Sequence, residues 1–267
     1  MKTEIYSVTH GNNRMIEGAD CLPIVAGSAL KGVQVPDGYL RDDSGDNISS
    51  KNPNYCELTA LYWIWKNSDA DIAGLCHYRR YFASLSEEKG KTLRNEEAMH
   101  LLAYYDVLLT KARNYLIETN YTQYANAHHA ADLDLARDII SEKYPDYIPF
   151  FDKRMAMTTG PRCKMLLTRQ ELLDQYCSWL FDILFDLESR LDISEYSERD
   201  RRVFVFVAER LLDVWVDANG LRTAELPYIF IGNEDLPKKA IRMTMRMLSG
   251  RAKRLSWRNE KHDKNER

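Results

Sequence analysis

Nowhere in the 267 residues does an apolar run approach the roughly 18 residues that a membrane-spanning helix needs. The N-terminal MKTEIYSVTHG lacks the basic flank and apolar core of a signal peptide, so a cytoplasmic protein is expected. Cysteine is sparse and unpatterned: Cys21, Cys56, Cys76, Cys163 and Cys177 are odd in number, widely spaced, and never form Cys-x-x-Cys. That spacing excludes a disulfide framework and a zinc-finger site. There is no Walker glycine loop, no RNA-recognition or helix-turn-helix signature, no internal repeat and no low-complexity segment. Nucleic acid is therefore not an expected partner. What remains is an ordinary globular composition, 45% hydrophobic and 29% charged, sufficient for a sizeable core.

The most informative stretch runs from Asn52 to Phe82. From Pro53, a residue the first helical turn accepts, Tyr55, Leu58, Leu61, Tyr62 and Trp65 recur at three- and four-residue steps and predict one helix. After the Asn67-Ser68-Asp69 break, Ile72 to Cys76 is a short apolar run expected to be a strand buried on both faces. Polarity then switches at once to His77, Tyr78, Arg79, Arg80 and Tyr81. Ligands of open α/β sheets bind outside the carboxyl ends of the strands, and the planar arginine fork suits phosphate. Arg79 and Arg80, with His77 and Tyr78, are thus candidates for an anion clamp; a solvated strand end with a structural histidine is the plainer alternative.

The remaining chain supplies partners for that unit. Lys2 to Thr9 reads as a first strand that runs into a polar loop, Thr9-His10-Gly11, at the same sheet edge as His77. Leu22 to Ala26 is a second short strand. The acidic stretch Arg41 to Ser49, with Asp42, Asp43 and Asp46, lacks the glutamate and flanking helices of a calcium loop. Its carboxylates could bind ribose hydroxyls or a metal, or simply form a solvated turn. Helices are predicted around Asn95 to Tyr104, over Tyr121 to Tyr144, Arg169 to Arg190 and Val203 to Trp215, and strands over Asp106 to Thr110 and Tyr228 to Gly232. Met155 to Met157 and Met165 to Leu167 read as strand-like pieces. His128 and Asp132, four residues apart, are a weak metal pair, and a surface pair of histidines, His128 and His129, is the better reading. Glu209 is an acid embedded among the aromatic and aliphatic residues of the last helix, hence either paired with an arginine or functionally tuned.

Charge is unevenly distributed. Lys238 to Arg267 carries eleven Lys/Arg against three Asp/Glu, a net +8, which leaves −11 on the rest of a chain of formal charge −3. Apolar Ile241, Met243, Met247, Leu248, Leu255 and Trp257 are interleaved with these cations, the pattern of a basic amphipathic segment on an anionic membrane surface; a solvated terminal helix is the alternative.

The blocks LPIVAGSAL, DDSGDNISSKNPNYCELTALYWIWKN, GLCHYRRYF and FVAERLLDVWV resemble a bacterial family, long a domain of unknown function, found in capsule, exopolysaccharide and O-antigen clusters and regarded as glycosyltransferases. The resemblance covers nearly all of residues 1 to 235. More distantly the chain resembles inverting GT-A glycosyltransferases. It implies an α/β, GT-A-like (Rossmann-like) mixed sheet flanked by helices. Residues 1–237 would form a single domain, and 238–267 a basic C-terminal tail in peripheral contact with the inner face of the cell membrane. It also implies a nucleotide-sugar donor, expected to be a UDP-linked hexose of galactose type, and a lipid-linked saccharide acceptor.

On that resemblance Asp42, Asp43 and Asp46 match a nucleotide-binding acidic loop, Thr9 and His10 join the donor site, and Glu209 matches the acid that deprotonates the acceptor. The departure is at His77-Tyr78-Arg79-Arg80, which stands where the family's Asp-x-Asp would hold Mn²⁺ or Mg²⁺. The Asp69-x-Asp71 pair precedes its strand and lies at the wrong end. The metal is therefore left open, with His77 a candidate lone ligand, and the two arginines can neutralise a leaving diphosphate as a metal would. Another nucleotide- or phosphosugar-binding enzyme, and a non-catalytic binding protein on the same fold, stay as alternatives.

Overall fold

Strands and helices follow the two hydrophobic periods of the chain closely enough that the sheet can be built in order. The computed structural model describes residues 1–232 apart from 12, 14, 17, 87–89 and 161–163; the basic tail expected over 238–267 lies outside the described residues. Eleven strands are described: β1 Thr3–Thr9, β2 Leu22–Val25, β3 Leu40–Arg41, β4 Ile72–His77, β5 Arg80–Phe82, β6 Val107–Thr110, β7 Arg113–Asn114, β8 Thr159–Gly160, β9 Leu166–Arg169, β10 Thr223–Leu226 and β11 Tyr228–Phe230. They alternate with α1 Asn52–Tyr55, α2 Leu58–Asn67, α3 Asn95–Leu102, α4 Asn120–Ala127, α5 Ala130–Lys143, α6 Ile148–Ala156, α7 Gln170–Arg190 and α8 Val203–Ala218.

The main sheet has the order β10-β6-β9-β4-β1-β2-β3. All its strands run one way except β9, which is antiparallel to both β4 and β6. The ends of β1, β2, β3, β4 and β6 therefore meet at one edge, and the beginning of reversed β9 joins them there. A short antiparallel extension, β4 to β5 to β11, leaves the sheet at the same edge. One face is covered by α2 and α7, on which α5 and α8 pack in turn, through Tyr6, Val8, Ala73 and Leu75; the other packs Ile5, Ile72 and Cys76 toward α3. That alternation along β1 and β4 is the signature of strands buried on both faces. Gly74 is required where β4 passes β9, because a Cβ there would lie 2.1 Å from the Leu166 carbonyl oxygen.

Four predicted elements differ in detail. The helix expected from Pro53 is two helices broken at Cys56, which sits in the left-handed region at φ +48°. Asn52 Nδ2 satisfies the freed Cys56 carbonyl at 2.8 Å, and the apolar steps continue in register across the break. The helix expected over Tyr121 to Tyr144 is likewise two, parted at His128 and His129, whose backbones are extended. Met155 is helical, the last turn of α6, because Ile148, Phe151 and Met155 form a stripe that buries Phe151 and Met155. The polar run after Cys76 is not a strand end alone: it turns through Tyr78 and Arg79 and returns as β5. Among the described residues no helix is long and apolar enough to cross a membrane.

Candidate active site

The convergence of strand ends makes a pocket of about 280 Å³. β1 delivers His10 to it, and the β4–β5 turn delivers His77, Tyr78, Arg79 and Arg80. Arg113 comes from β7 and Lys164 from the turn before β9, while Glu57 comes from the break between α1 and α2 and Glu209 from α8. The clustering is topological, since positions as far apart as 10 and 209 meet only because the parallel strands end together.

Two carboxylates share one ammonium at its floor. Lys164 Nζ contacts Glu57 Oε1 and lies 3.2 Å from Glu209 Oε1, while Glu209 Oε2 is 3.3 Å from Arg210 Nη1. The Lys164 and Glu57 side chains are about a tenth exposed, but Glu209 keeps a quarter of its surface, 26%, open to the pocket. Burial alone would raise the Glu57 carboxyl; the Lys164 ammonium and His77 overcome it and bring it down to about 2. Burial opposes ionisation of Glu209 too, and Lys164 and Arg210 together still hold it below the usual carboxylate range, with Glu57 pushing the other way. The same pairings hold Lys164 above the ordinary lysine value against its burial. Lys164 occupies the left-handed region at φ +55°, which for a long side chain costs about 1 kcal/mol or more and marks a position held by its surroundings. His10 stays exposed overall, yet the pocket wall around its imidazole pushes it below the ordinary histidine value.

The arginine turn is braced by the chain that follows β10. Tyr78 N–H donates to the Val8 carbonyl at 3.0 Å, Ile231 N–H donates to the Arg79 carbonyl at 2.9 Å, and Arg79 Nε donates to the Ile231 carbonyl at 3.3 Å. The guanidiniums of Arg79 and Arg80 lie 5.2 and 5.1 Å from the centre of the Phe230 ring, so one aromatic face orients both. A second recess of about 330 Å³, bordered by Asn13, Tyr78, Arg79, Ile231 and Gly232, opens beside the first and shares Tyr78 and Arg79 with it.

Of the residues singled out in the sequence, His10, His77, Tyr78, Arg79, Arg80 and Glu209 are brought together. Thr9, Asp42, Asp43 and Asp46 are placed outside that lining. Thr9 Oγ1 donates to the Gly11 carbonyl and accepts from Asn13, fixing the loop that carries His10. Asp42 is fully buried and accepts from Gly27 N, Ser28 N, Ser28 Oγ and Ser49 Oγ, tying the turns after β2 and β3 together behind His10. Asp43 is bidentate with Arg41, and Asp46 accepts from Tyr62 OH. Asp69 pairs with Lys2 and Asp71 accepts from Lys2 N, both at the amino end of β4. Of the two expected surface histidines only His129 is exposed; the His128 side chain is buried, as is Asp132, and these two are separately engaged, with Asp200 and Tyr196.

Sequence reasoning passed over Glu57, Lys164 and Arg113. Glu57 carried the same signal that marked Glu209, an acid inside an apolar helical stretch; Lys164 and Arg113 carried none. The lining does not fit the Mn²⁺ or Mg²⁺ that the GT-A resemblance brings, because both of its carboxylates already face Lys164, and among the described residues no group of three potential ligands is placed to hold an ion.

A family model described as "Domain of unknown function (DUF4422)" matches residues 4–220. No curated protein matches the chain. Among solved structures, the apo form of WbbM, a bifunctional glycosyltransferase, is similar at 29% identity and a TM-score of 0.78 over 88% of this chain. The chain spans 46% of that protein's length. With this likeness the described sheet and its helices are a GT-A-like α/β fold, as the sequence led one to expect.

Proposed function

The chain belongs to the DUF4422 family, and from that premise we propose that it is a glycosyltransferase of bacterial surface-polysaccharide synthesis, which moves a galactose-type hexose from a UDP-linked donor to a lipid-linked saccharide. One juxtaposition carries the reading: Arg79, Arg80, Arg113 and Lys164 converge on a pocket that also holds the partly open carboxylate of Glu209, at the edge where open sheets take ligands. The similarity to a glycosyltransferase supplies the substrate class.

In the transfer, an acceptor hydroxyl oxygen bonds to the anomeric carbon of the donor sugar as the bond from that carbon to the diphosphate oxygen breaks. The hydroxyl proton passes to Glu209, which is ionised in the free protein and so able to accept it. Attack opposite the leaving group inverts the anomeric centre. Negative charge grows on the departing diphosphate, and Arg79 and Arg80, fixed in advance by Phe230 and the Ile231 carbonyl, meet it with bidentate donors; His77 adds a further one. The shared recess beyond Arg79 offers room for the nucleoside. Residues 1–237 make up the transferase unit, and the basic stretch 238–267 holds it on the inner face of the cell membrane.

Calorimetric titration with UDP, with and without Mn²⁺, on the wild type and Arg79→Ala tests the site. Binding that ignores the metal and weakens about tenfold or more in the variant is expected, the scale of a lost charge-assisted bidentate contact. Binding that requires Mn²⁺ would return a metal site of a kind the lining does not resemble, and no binding of UDP or any other nucleotide would overturn the transferase reading. Slow release of UDP from a UDP-hexose without acceptor, absent in Glu209→Gln, separates a transferase from a non-catalytic binding protein.

A further inference from the structure

Three residues beyond Arg113 of the pocket lining, the chain exposes two large apolar side chains in a setting built to hold them out. β6 ends at Thr110 on the same sheet edge as the site, and β7 carries Arg113 into the pocket lining. Directly after it the backbone doubles back. Leu116 lies in the left-handed region at φ +62°, its N–H donates to Asn114 Oδ1 at 2.8 Å, and the Ile117 N–H donates to the Tyr115 carbonyl at 2.7 Å. A leucine there is strained by about 1 kcal/mol or more, and such strain persists only where the surroundings impose it.

Both flanks do so. Tyr115 is buried, its N–H donates to the Thr158 carbonyl at 2.8 Å, and its ring fits against Gly160, where a Cβ would lie 2.7 Å from Tyr115 Cε2. On the other side Glu118 is buried against Asn126 Nδ2, and Thr119 caps α4 in a reciprocal pair with Thr122. Between these anchors Leu116 is 76% and Ile117 66% exposed, the largest values among the described bulky apolar residues after Met1. Exposed Lys111 and Arg113 stand on the same short ribbon.

We propose that this turn is a membrane-insertion spike: Leu116 and Ile117 enter the interfacial layer of an anionic bilayer while exposed Lys111 meets the headgroups, and the pocket that Arg113 lines is thereby held near the surface that presents its acceptor. The proposal rests on the reading of the acceptor as lipid-linked. Two exposed apolar side chains with a lysine on the same short ribbon suit an interfacial anchor, whereas a stable protein partner needs roughly 1,200 Å² or more of buried surface with an apolar centre. Apolar insertion and headgroup attraction add, which is the two-signal logic of peripheral binding.

The full chain is tested with vesicles of phosphatidylethanolamine and phosphatidylglycerol. Leu116→Asn with Ile117→Ser keeps a residue that tolerates the left-handed backbone, so the fold is retained; vesicle affinity should fall about tenfold. Leu116→Trp provides a local reporter, whose emission should shift to the blue on vesicle addition and be quenched by brominated acyl chains. Unchanged vesicle affinity of the double variant together with an unshifted, unquenched reporter would overturn the proposal, as would a reporter that responds to a soluble protein and not to vesicles. The two readings fail separately: UDP titration of the double variant should match the wild type; a wild type that binds no nucleotide sinks the transferase reading, an indifferent spike sinks only this one, and loss of UDP binding in the double variant alone would overturn the spike as a feature separate from the donor site.

Discussion

At the scale of single residues, the group that decides the behaviour of the pocket is Lys164. It is the shared counter-ion of Glu57 and Glu209, and without it the desolvation that opposes both carboxylates is no longer outweighed. Lys164→Met should therefore move the acid limb of kcat/KM upward by about one pH unit or more, through a raised Glu209. Glu57→Gln should move it down or leave it, because Glu57 is the neighbour that raises Glu209. A pH–rate profile of the two variants checks this, and the same direction of shift in both would refute it. Glu209→Gln should lower kcat by about 10²- to 10⁴-fold with UDP affinity retained. The pairing also bears on stability. Glu57 has its folded value depressed from 4.5 to about 2, so its contribution is present above about pH 4.5 and is lost as pH falls through 2. Much of this was legible and some was not. Glu209 stood out as an acid among aromatics, and the arginines stood out at an abrupt switch of polarity. Lys164 did not, because what distinguishes it is a backbone angle and two partners more than 40 residues away, none of which composition or periodicity records.

At the scale of elements, the reversed strand β9 and the late strand β11 do what no local pattern announced. β9 runs against its neighbours, so its beginning rather than its end reaches the carboxyl edge, and Lys164 arrives with it. Short apolar runs give the existence of a strand but not its direction. The break at Cys56 was hidden because the helical steps resume in phase, yet it is what turns Glu57 toward the pocket. β11 braces the arginine turn through Phe230. Phe230→Leu keeps the apolar bulk and removes the π face, so UDP affinity should drop about three- to tenfold by calorimetry, the yield of one or two cation–π contacts, while the melting temperature moves little. An unchanged affinity would mean that the ring packs without orienting the guanidiniums. At the other sheet edge Asp106 joins three strands, accepting from Arg169 at 2.9 Å, from Arg222 Nε at 3.1 Å and from Arg222 N at 2.9 Å. The Arg222 and Arg169 contacts outweigh burial and hold its carboxyl down to about 2 from 3.8, so its stabilisation is present above about pH 4 and lost as pH falls through 2. Asp106→Asn should cost about 1 to 2 kcal/mol near pH 7 after allowance for screening, with the gap to wild type closing by pH 2 in urea unfolding.

At the scale of the whole molecule the charges are divided by place. Outside the last thirty residues the chain carries −11, yet the pocket collects four cations against two carboxylates, so the site is a positive recess in a negative body. Such a field draws a diphosphate inward and keeps an anionic membrane off the general surface, leaving contact to whichever cationic or apolar features project. The turn at Leu116 and Ile117 is one such feature, and the sequence carries a second source of membrane affinity in the +8 stretch from Lys238 to Arg267. They differ in physics, and salt separates them. Each tail cation near an anionic surface contributes about 1 kcal/mol at low ionic strength and is screened over a Debye length of about 8 Å under physiological conditions. Insertion of leucine and isoleucine is indifferent to salt. Ending the chain after residue 237 removes nothing from either described core cluster, both of which lie within residues 5–231. UDP affinity should thus stay within about twofold of wild type, since the pocket and its bracing residues are all retained. Binding to phosphatidylglycerol vesicles should fall steeply at low salt and converge with wild type at high salt, where the residual affinity belongs to the spike. A truncated chain that loses UDP binding would instead make the tail part of the donor site, and one that keeps all of its salt-sensitive vesicle binding would move the electrostatic contact onto the body.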